Sequence, residues 1–407
     1  MLNRYHNVQV MELLIGLSNK RLTNTADVFK RYMIDEIDWS DRLISIVGGR
    51  GAGKTTVMLQ NMKATYGLSS KALYISLDNI YFTKNLLSEL ADSFVKMGGE
   101  ALYIDEVHKY PNWSIELKNI YDNYPELKVV FSGSSMLELY KGQGDLSRRL
   151  SSYSLSPLSF REFIELEHGF KFPKVSLGEL LDNHIEIAHL VTAKIKPLAY
   201  FSEYLNFGAF PFCKDSHSKY HERLQNVVNM ILDYDLPSIT PVDYAHVLKM
   251  KMLLKIISEQ VPYTPNISKL ASQTEIDRKT VLKYLDLLFR GGLIHLLNTP
   301  DTSDSLFTKP DKIYLGNPNF MFSLCEEKPN TGTLRETFFC QQLSVKHKVH
   351  MSPKSDFLID KRYTFEIGGK AKNTKQIEGI TNSYIAADGI EYGFTNRIPL
   401  WLFGFLY

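Results

Sequence analysis

The chain has 407 residues, a formal net charge of +2 and 23% charged residues. This length exceeds one core of ordinary size, so two or three domains are expected, and the near-neutral charge favours neither presence nor absence of a nucleic-acid partner. Cys213, Cys325 and Cys340 are widely spaced and odd in number, which fits a reducing compartment and argues against a disulfide framework or a zinc knuckle.

The N-terminal stretch, residues 1–40, has an amphipathic helical pattern and is expected to pack on a sheet. It lacks the apolar core and the cleavage site of a signal peptide. No apolar run in the chain reaches the roughly 18 residues of a membrane span. We therefore expect a cytoplasmic protein without a membrane partner, in which the apolar C-terminal run IPLWLFGFLY forms a buried final strand.

The stretch around which the chain is organised begins with a buried apolar strand at residues 43–47 and continues as GGRGAGKTT. This matches the Walker A pattern G-x-x-x-x-G-K-S/T, in which backbone N–H groups form an anion nest at a helix N-terminus. Lys54 is expected to reach the β- and γ-phosphates, and the Thr55 hydroxyl to bind Mg²⁺. The predicted nucleotide-binding residues are Gly48, Gly49, Arg50, Gly51, Ala52, Gly53, Lys54, Thr55 and Thr56.

A second strand, ALYIS, and a predicted helix over residues 83–97 lead to ALYIDE, an apolar strand that ends in two carboxylates. Its spacing from Lys54 predicts a Walker B element. Asp105 would lie in the Mg²⁺ shell, and Glu106 would polarise the attacking water.

The next predicted strand, VVFSGSS, follows a helix over residues 115–124 and ends in hydroxyls. Ser132 is expected to sense the γ-phosphate, and a further helix to begin near Met136. The segment GDLSRRL then precedes a fifth strand around residues 152–155. One of its arginines is a candidate for stabilising charge on the transferring phosphoryl group, and a surface arginine is the alternative.

These motifs, GGRGAGKTT, ALYIDEVHKYPNW, VVFSGSS and SRRLSSYSLSPLSFREF, resemble the AAA+ ATPases. The resemblance is strongest to a prokaryotic group in which an AAA+ domain precedes a C-terminal domain of unknown function. It implies a parallel sheet with helices on both faces, ATP as the nucleotide, and an arginine that acts across a subunit interface in a homo-oligomer. By position that arginine is Arg149, because Arg148 replaces the family's glycine.

Residues 243–297 predict two helices, a turn, a helix with exposed cations and a strand, which is the layout of a winged helix. Arg278, Lys279 and Lys283 are the candidates for contact with DNA phosphates or bases. A winged helix used only for packing or protein contact is the alternative.

The C-terminal region resembles the PD-(D/E)XK nuclease fold. The resemblance implies that Glu336, on a predicted helix, and Asp356 and Glu366, on adjacent strands, converge on a site able to hold Mg²⁺. Gly368 stands where that pattern has a lysine, and the nearest lysine along the chain is Lys370. We therefore expect a relic site without nuclease activity.

The sequence thus predicts an α/β P-loop NTPase sheet, a winged-helix segment and a small α+β C-terminal domain. The function predicted first is a Mg²⁺-dependent AAA+ ATPase that couples nucleotide state to a DNA- or protein-binding module. The alternatives are a DNA-binding switch with little turnover and a nucleotide-controlled nuclease. The expected segments are 1–40 (helical), 41–165 (ATPase), 166–240 (helical connector), 241–300 (winged helix) and 301–407 (nuclease-like).

Overall fold

The structure is a computed structural model that describes residues 2–133, 146, 148–239, 243–300 and 308–407. The helix predicted near Met136 lies outside these residues. The chain divides into two compact units, Met1–Ser156 and Pro157–Tyr407. The finer division into five segments stays a prediction.

The first unit is built on a parallel sheet. Its strands are β1 (Leu43–Gly48), β2 (Ala72–Ser76), β3 (Ala101–Asp105), β4 (Lys128–Gly133) and β5 (Ser151–Leu155). Within the described residues their order is β2-β3-β4-β1-β5, and every pair is parallel. The central strands β1 and β3 are buried along their whole length, which explains why they consist of apolar runs rather than alternating residues.

Helices flank this sheet, and short 3₁₀ turns join the elements. The helices are α1 (Leu2–Thr23), α2 (Lys54–Tyr66), α3 (Leu87–Lys96) and α4 (Trp113–Asn123), and the turns are Tyr32–Asp35, Ile80–Thr83 and Val107–Lys109. The core includes Leu102, Ile104 and Phe131 of the sheet and Trp113 and Leu117 of α4. This is the α/β fold of a P-loop NTPase, as predicted, and the carboxyl ends of β1, β3 and β4 meet at one edge.

The second unit begins with helices. They are α5 (Phe160–Phe163), α6 (Leu177–Thr192), α7 (Pro197–Phe207), α8 (Tyr220–Met230), α9 (Leu236–Ile239), α10 (Tyr244–Gln260), α11 (Ile267–Thr274) and α12 (Arg278–Arg290). Two π-helical segments, Ile164–His168 and Ile231–Asp235, and a 3₁₀ turn, Pro211–Lys214, lie among them. The antiparallel strands β6 (Ile294–Leu297) and β7 (Lys312–Leu315) follow α12.

The C-terminal part of the second unit is a mixed sheet with helices α13 (Pro318–Leu324) and α14 (Thr331–Leu343) before it. Its strands are β8 (Val349–Met351), β9 (Phe357–Ile359), β10 (Tyr363–Gly368), β11 (Ser383–Ala387) and β12 (Arg397–Pro399). The order is β12-β11-β10-β9-β8, parallel from β10 to β12 and antiparallel from β8 to β10. The separate α+β region was also predicted.

The final apolar run is buried as expected, but most of it is not a strand. β12 ends at Pro399, and Leu400–Phe405 forms a 3₁₀ helix with all six residues buried. Proline has no N–H to donate to a sheet ladder, and this accounts for the end of the strand at that residue. The prediction of a final strand was therefore wrong beyond Pro399.

Candidate nucleotide-binding site

The loop between β1 and α2 forms a turn that needs glycine. Gly48, Gly51 and Gly53 have φ values of 148°, 81° and 98°, a region that L-residues rarely adopt. A Cβ on Gly48 would also lie 2.3 Å from the carbonyl oxygen of Leu155. The loop ends at the N-terminus of α2, where free N–H groups and the helix dipole favour an anion.

Lys54 is buried at the first position of α2. Its Nζ donates to the carbonyl oxygens of Gly48 and Gly49, at 3.0 Å each. The ammonium therefore lies inside the curve of the loop, where phosphate oxygens would be bound. Its contact with the β- and γ-phosphates of a nucleotide stays a prediction.

Asp105 lies at the end of β3 and accepts hydrogen bonds on both carboxylate oxygens. Thr55 Oγ1 and Tyr74 Oη donate to Oδ2 at 2.6 and 3.0 Å. Ser132 Oγ and the Glu106 N–H donate to Oδ1, the latter at 3.1 Å. The two predicted Mg²⁺ ligands, Thr55 and Asp105, are thus in direct contact, and hydroxyl and carboxylate oxygens are the ligand types that Mg²⁺ prefers.

Glu106 follows with a left-handed backbone, φ 54°, which costs a non-glycine residue about 1–3 kcal/mol. Its Oε2 lies 3.4 Å from Lys109 Nζ and 3.6 Å from His108 Nε2. Lys109 also contacts Asp78 Oδ2 at 3.2 Å. The carboxylate of Glu106 therefore lies between the ammonium of Lys109 and the imidazole of His108 in the following turn.

Residues 40–164 match the family model described as AAA domain. This match supports ATP binding and hydrolysis at the general level of an AAA-type P-loop ATPase. Residues 198–324 match a second family model, described as a domain of unknown function.

An uncharacterized protein of Methanocaldococcus jannaschii is 25% identical to this chain over 287 residues. The alignment covers 67% of this chain and 60% of that protein, so the chain spans less than two thirds of the relative's length. Among solved structures, a Walker-type ATPase of Pyrococcus abyssi is 13% identical with a TM-score of 0.46, over 73% of this chain and 96% of that one. DnaA from Aquifex aeolicus bound to AMPPCP is 15% identical with a TM-score of 0.28, over 62% and 83% of the two chains.

Two residues that sequence reasoning did not identify make contacts at this site, one with Asp105 and one with the loop between β1 and α2. Tyr74 is buried in β2, and burial together with the charge of Asp105 raises its pKa, so its hydroxyl stays protonated and remains a donor. Arg31 is also buried, and its guanidinium donates to the carbonyl oxygens of Ala52 and of Ser156, the latter at 2.7 Å. Tyr74 was missed because a tyrosine in an apolar strand is ordinarily a core residue. Arg31 was missed because no motif spacing in the sequence relates it to the loop.

Two other predicted residues of this region have partners within the same unit. Ser132 is fully buried and donates to Asp105, so its hydroxyl orients that carboxylate. Arg149 forms two hydrogen bonds with Asp122 of α4, at 2.9 and 3.2 Å. The role of Arg149 at a subunit interface stays a prediction.

Each of the predicted C-terminal carboxylates has a partner from the chain. Glu336 Oε2 accepts from Lys312 Nζ at 2.9 Å and from Tyr314 Oη at 2.6 Å. Asp356 accepts from the Ile367 N–H at 2.7 Å. Burial raises the pKa of Asp356 to about 6, and the charges of Glu336 and Glu366 act in the same direction.

The lysine that forms an ion pair with Glu366 is Lys372, two residues after Lys370, the lysine nearest to Gly368 along the chain. A Cβ at Gly368 would lie 2.6 Å from the Cβ and Cγ of Lys372, so the alkyl chain of Lys372 lies over the glycine. Ser355 Oγ donates to the other oxygen of Glu366 at 2.6 Å. Among the described residues, no group of three or more His, Cys, Asp or Glu side chains is arranged to hold a metal ion.

The predicted winged-helix cations lie on α12, which Asp277 caps by accepting from the Thr280 N–H. Arg278, Lys279 and Lys283 are all exposed. In the part of the chain that the structure describes, no helix is long and apolar enough to cross a membrane.

Proposed function

We propose that this chain is a Mg²⁺-dependent ATPase of AAA type that couples its nucleotide state to the second unit as a binding module. The observation that carries the proposal is the 2.6 Å hydrogen bond from Thr55 to Asp105. It brings the hydroxyl of the phosphate loop and the carboxylate of β3 to one point, with Glu106 next in the chain.

The chain's own residues supply four distinct functions at this point. The loop N–H groups and Lys54 bind and orient the phosphates. Thr55 and Asp105 would hold Mg²⁺, which when bound neutralises charge on the phosphate oxygens. Glu106 accepts a proton from the attacking water, and Ser132 and Tyr74 hold the Asp105 carboxylate in place.

The experiment is phosphate release from ATP by the purified full chain, with Mg²⁺ and with a chelator, and with and without duplex DNA. We expect hydrolysis that requires Mg²⁺. Tight ATP binding without turnover would favour the alternative of a nucleotide-controlled switch. Failure of calorimetry to detect ATP binding in the presence of Mg²⁺ would refute the proposal.

A second candidate function is DNA contact through α12. Two observations support it. The order of a winged helix is followed by α11, a turn, α12 and the β6–β7 pair. The exposed cations lie in the first turns of α12. Each phosphate contact adds about 0.9 to the slope of log affinity against log salt concentration. A Lys279→Ala/Lys283→Ala variant is therefore expected to reduce that slope by about two.

The matched control for this test is Lys196→Ala/Lys219→Ala, which removes two exposed lysines elsewhere in the second unit. If the slope is unchanged in the Lys279→Ala/Lys283→Ala variant, the winged-helix-like segment serves packing or protein contact rather than DNA binding.

A further inference from the structure

A cavity of about 770 Å³ opens beside the candidate nucleotide site, within the first unit. It lies between the last turns of α1, the first turns of α2 and the end of β2. Small-molecule sites occupy about 300–1,000 Å³, so the cavity is large enough for a compact organic ligand. Its lining includes Thr56, a predicted nucleotide-binding residue, and Tyr74, which holds Asp105, but none of the functions proposed above places a ligand in it.

The lining combines an apolar floor with cations. Leu14, Leu59 and Phe82 are buried in the floor, and Leu17 is 47% exposed at its edge. Lys20 and Arg21 contribute positive charge. Among the described residues, neither of these two cations forms an ion pair.

Asp78 is the one carboxylate among the described lining residues, and its charge is already compensated. Asp78 accepts from Ser76 Oγ at 2.6 Å and from Lys109 Nζ at 3.2 Å. These two hydrogen bonds, that from Ser76 first, lower the pKa of Asp78. The cavity therefore presents a net positive charge above an apolar surface, which suits an anion attached to an apolar body.

We propose that this cavity binds a small organic anion with an aromatic or aliphatic body, and that its occupancy is coupled to Mg²⁺-nucleotide binding through Tyr74. The ligand's apolar body lies against the leucines and Phe82, and its anionic group lies at Lys20 and Arg21. The binding part stands independently of the ATPase assignment, whereas the coupling part rests on it.

The coupling has a direct physical route. Tyr74 lines the cavity, and its hydroxyl donates to the same Asp105 oxygen that accepts from Thr55. A ligand that displaces the Tyr74 ring would therefore change one of the hydrogen bonds that hold the Asp105 carboxylate. A parallel route runs from Asp78 through Lys109 to Glu106.

Lys20 and Arg21 also lie in the last turn of α1, where cations interact favourably with the helix dipole. That effect would place cations there without any ligand. A binding experiment separates the two explanations, because the dipole alone creates no affinity for an organic anion.

The probe is anilinonaphthalene sulfonate, an apolar ring system with one anionic group, titrated into the full chain by fluorescence. We expect saturable binding that weakens about tenfold in Lys20→Ala/Arg21→Ala. Leu17→Glu, a change at a half-exposed position, is expected to abolish it by placing a negative charge in the lining. The control Lys84→Ala/Lys96→Ala removes two exposed lysines that do not line the cavity and is expected to bind like the parent.

Equal binding by the parent and by Leu17→Glu would overturn the site. Simple competition between the probe and ATP, with loss of probe binding in Lys54→Ala, would place the probe at the phosphate loop and would also overturn it.

Coupling is measured by calorimetry of ATP with Mg²⁺, with and without saturating probe. Linkage requires that each ligand change the affinity of the other by the same factor, which we expect to be about fivefold or more. Tyr74→Phe keeps the ring in the lining but removes the hydroxyl, so probe binding is expected to remain and the factor to fall towards one.

A factor of one in the parent would overturn the coupling. A chain that binds the probe as expected but binds no ATP would refute the ATPase proposal and leave the anion site standing.

Discussion

The hydroxyl of Thr55, the second residue of α2, donates to Oδ2 of Asp105 at 2.6 Å, although the two residues are 50 positions apart and β1, which leads into α2, is not a neighbour of β3. β4 lies between β1 and β3, and its Ser132 donates to the other oxygen of the same carboxylate. Parallel strands end at one edge of a sheet, so side chains from three strand ends meet at Asp105.

Lys54→Ala is expected to weaken binding of ATP with Mg²⁺ by about 100-fold or more, because the loop loses its cation against two charged phosphates. Calorimetry measures the loss. Lys63→Ala, on the same helix but ion-paired with Asp27, is the control and should bind like the parent. Unchanged affinity in Lys54→Ala would refute the phosphate-loop assignment.

Glu106→Gln is expected to keep nucleotide affinity and to lower turnover by about 10²-fold or more, since an amide of the same shape cannot accept the proton. Phosphate release and calorimetry on the same preparation separate the two effects. Glu100→Gln, a carboxylate paired with Lys71 just before β3, serves as the control. Hydrolysis at the parental rate in Glu106→Gln would assign the base to another group.

Ser132→Ala tests whether this serine orients Asp105 or senses the γ-phosphate. If it orients Asp105, the Mg²⁺ concentration for half-maximal hydrolysis should rise about tenfold, because a hydrogen bond to a charged group is lost. Turnover at saturating Mg²⁺ should then stay close to that of the parent. Ser45→Ala, which removes a buried strand hydroxyl bonded to Ser152, is the matched control.

A large loss of turnover at saturating Mg²⁺ in Ser132→Ala, with no change in the Mg²⁺ dependence, would restore the γ-phosphate role instead.

Arg149→Ala is expected to lose hydrolysis if Arg149 acts on the nucleotide of a second copy of this chain. Mixing it with Lys54→Ala should then restore part of the activity, since one mixed interface has both parts intact. Asp122→Ala breaks the same ion pair but keeps the arginine, so it should remain active. Full activity of Arg149→Ala alone would leave Arg149 as a surface residue that stabilises α4.

Asp356→Asn is expected to stabilise the protein at neutral pH. Burial raises the pKa of Asp356 to about 6, so between about pH 4 and pH 6 the folded state retains a proton that the unfolded state has released. Stability therefore falls as pH rises through this window, by up to about 3 kcal/mol for a group with this difference in pKa. Asparagine avoids that loss.

Urea unfolding of the parent and of Asp356→Asn at several pH values measures the effect, with the exposed Glu378→Gln as control. The two curves should converge below about pH 3, where the carboxyl is protonated in both states. A difference that is the same at all pH values would indicate that hydrogen bonding to Ile367, rather than charge, sets the effect.

The sequence alone was sufficient for the sheet of the first unit and for the phosphate loop. Its strands are short apolar runs because both of their faces are buried, and the loop needs glycines where φ is positive. That Thr55 and Asp105 lie close together also followed from motif spacing, since Thr55 begins the helix after β1, Asp105 ends β3, and the carboxyl ends of these parallel strands share one edge of the sheet.

Only the tertiary structure decided which side chains surround these motifs. The contacts of Tyr74, Arg31 and Lys372 depend on which elements the fold brings side by side. Because the contacting residues are distant or irregularly spaced in the sequence, no periodic pattern predicts these contacts. The burial of the C-terminal run was predicted from its apolar composition. Its 3₁₀ conformation after Pro399 was not, because apolar residues are buried equally well in a strand or in a helix.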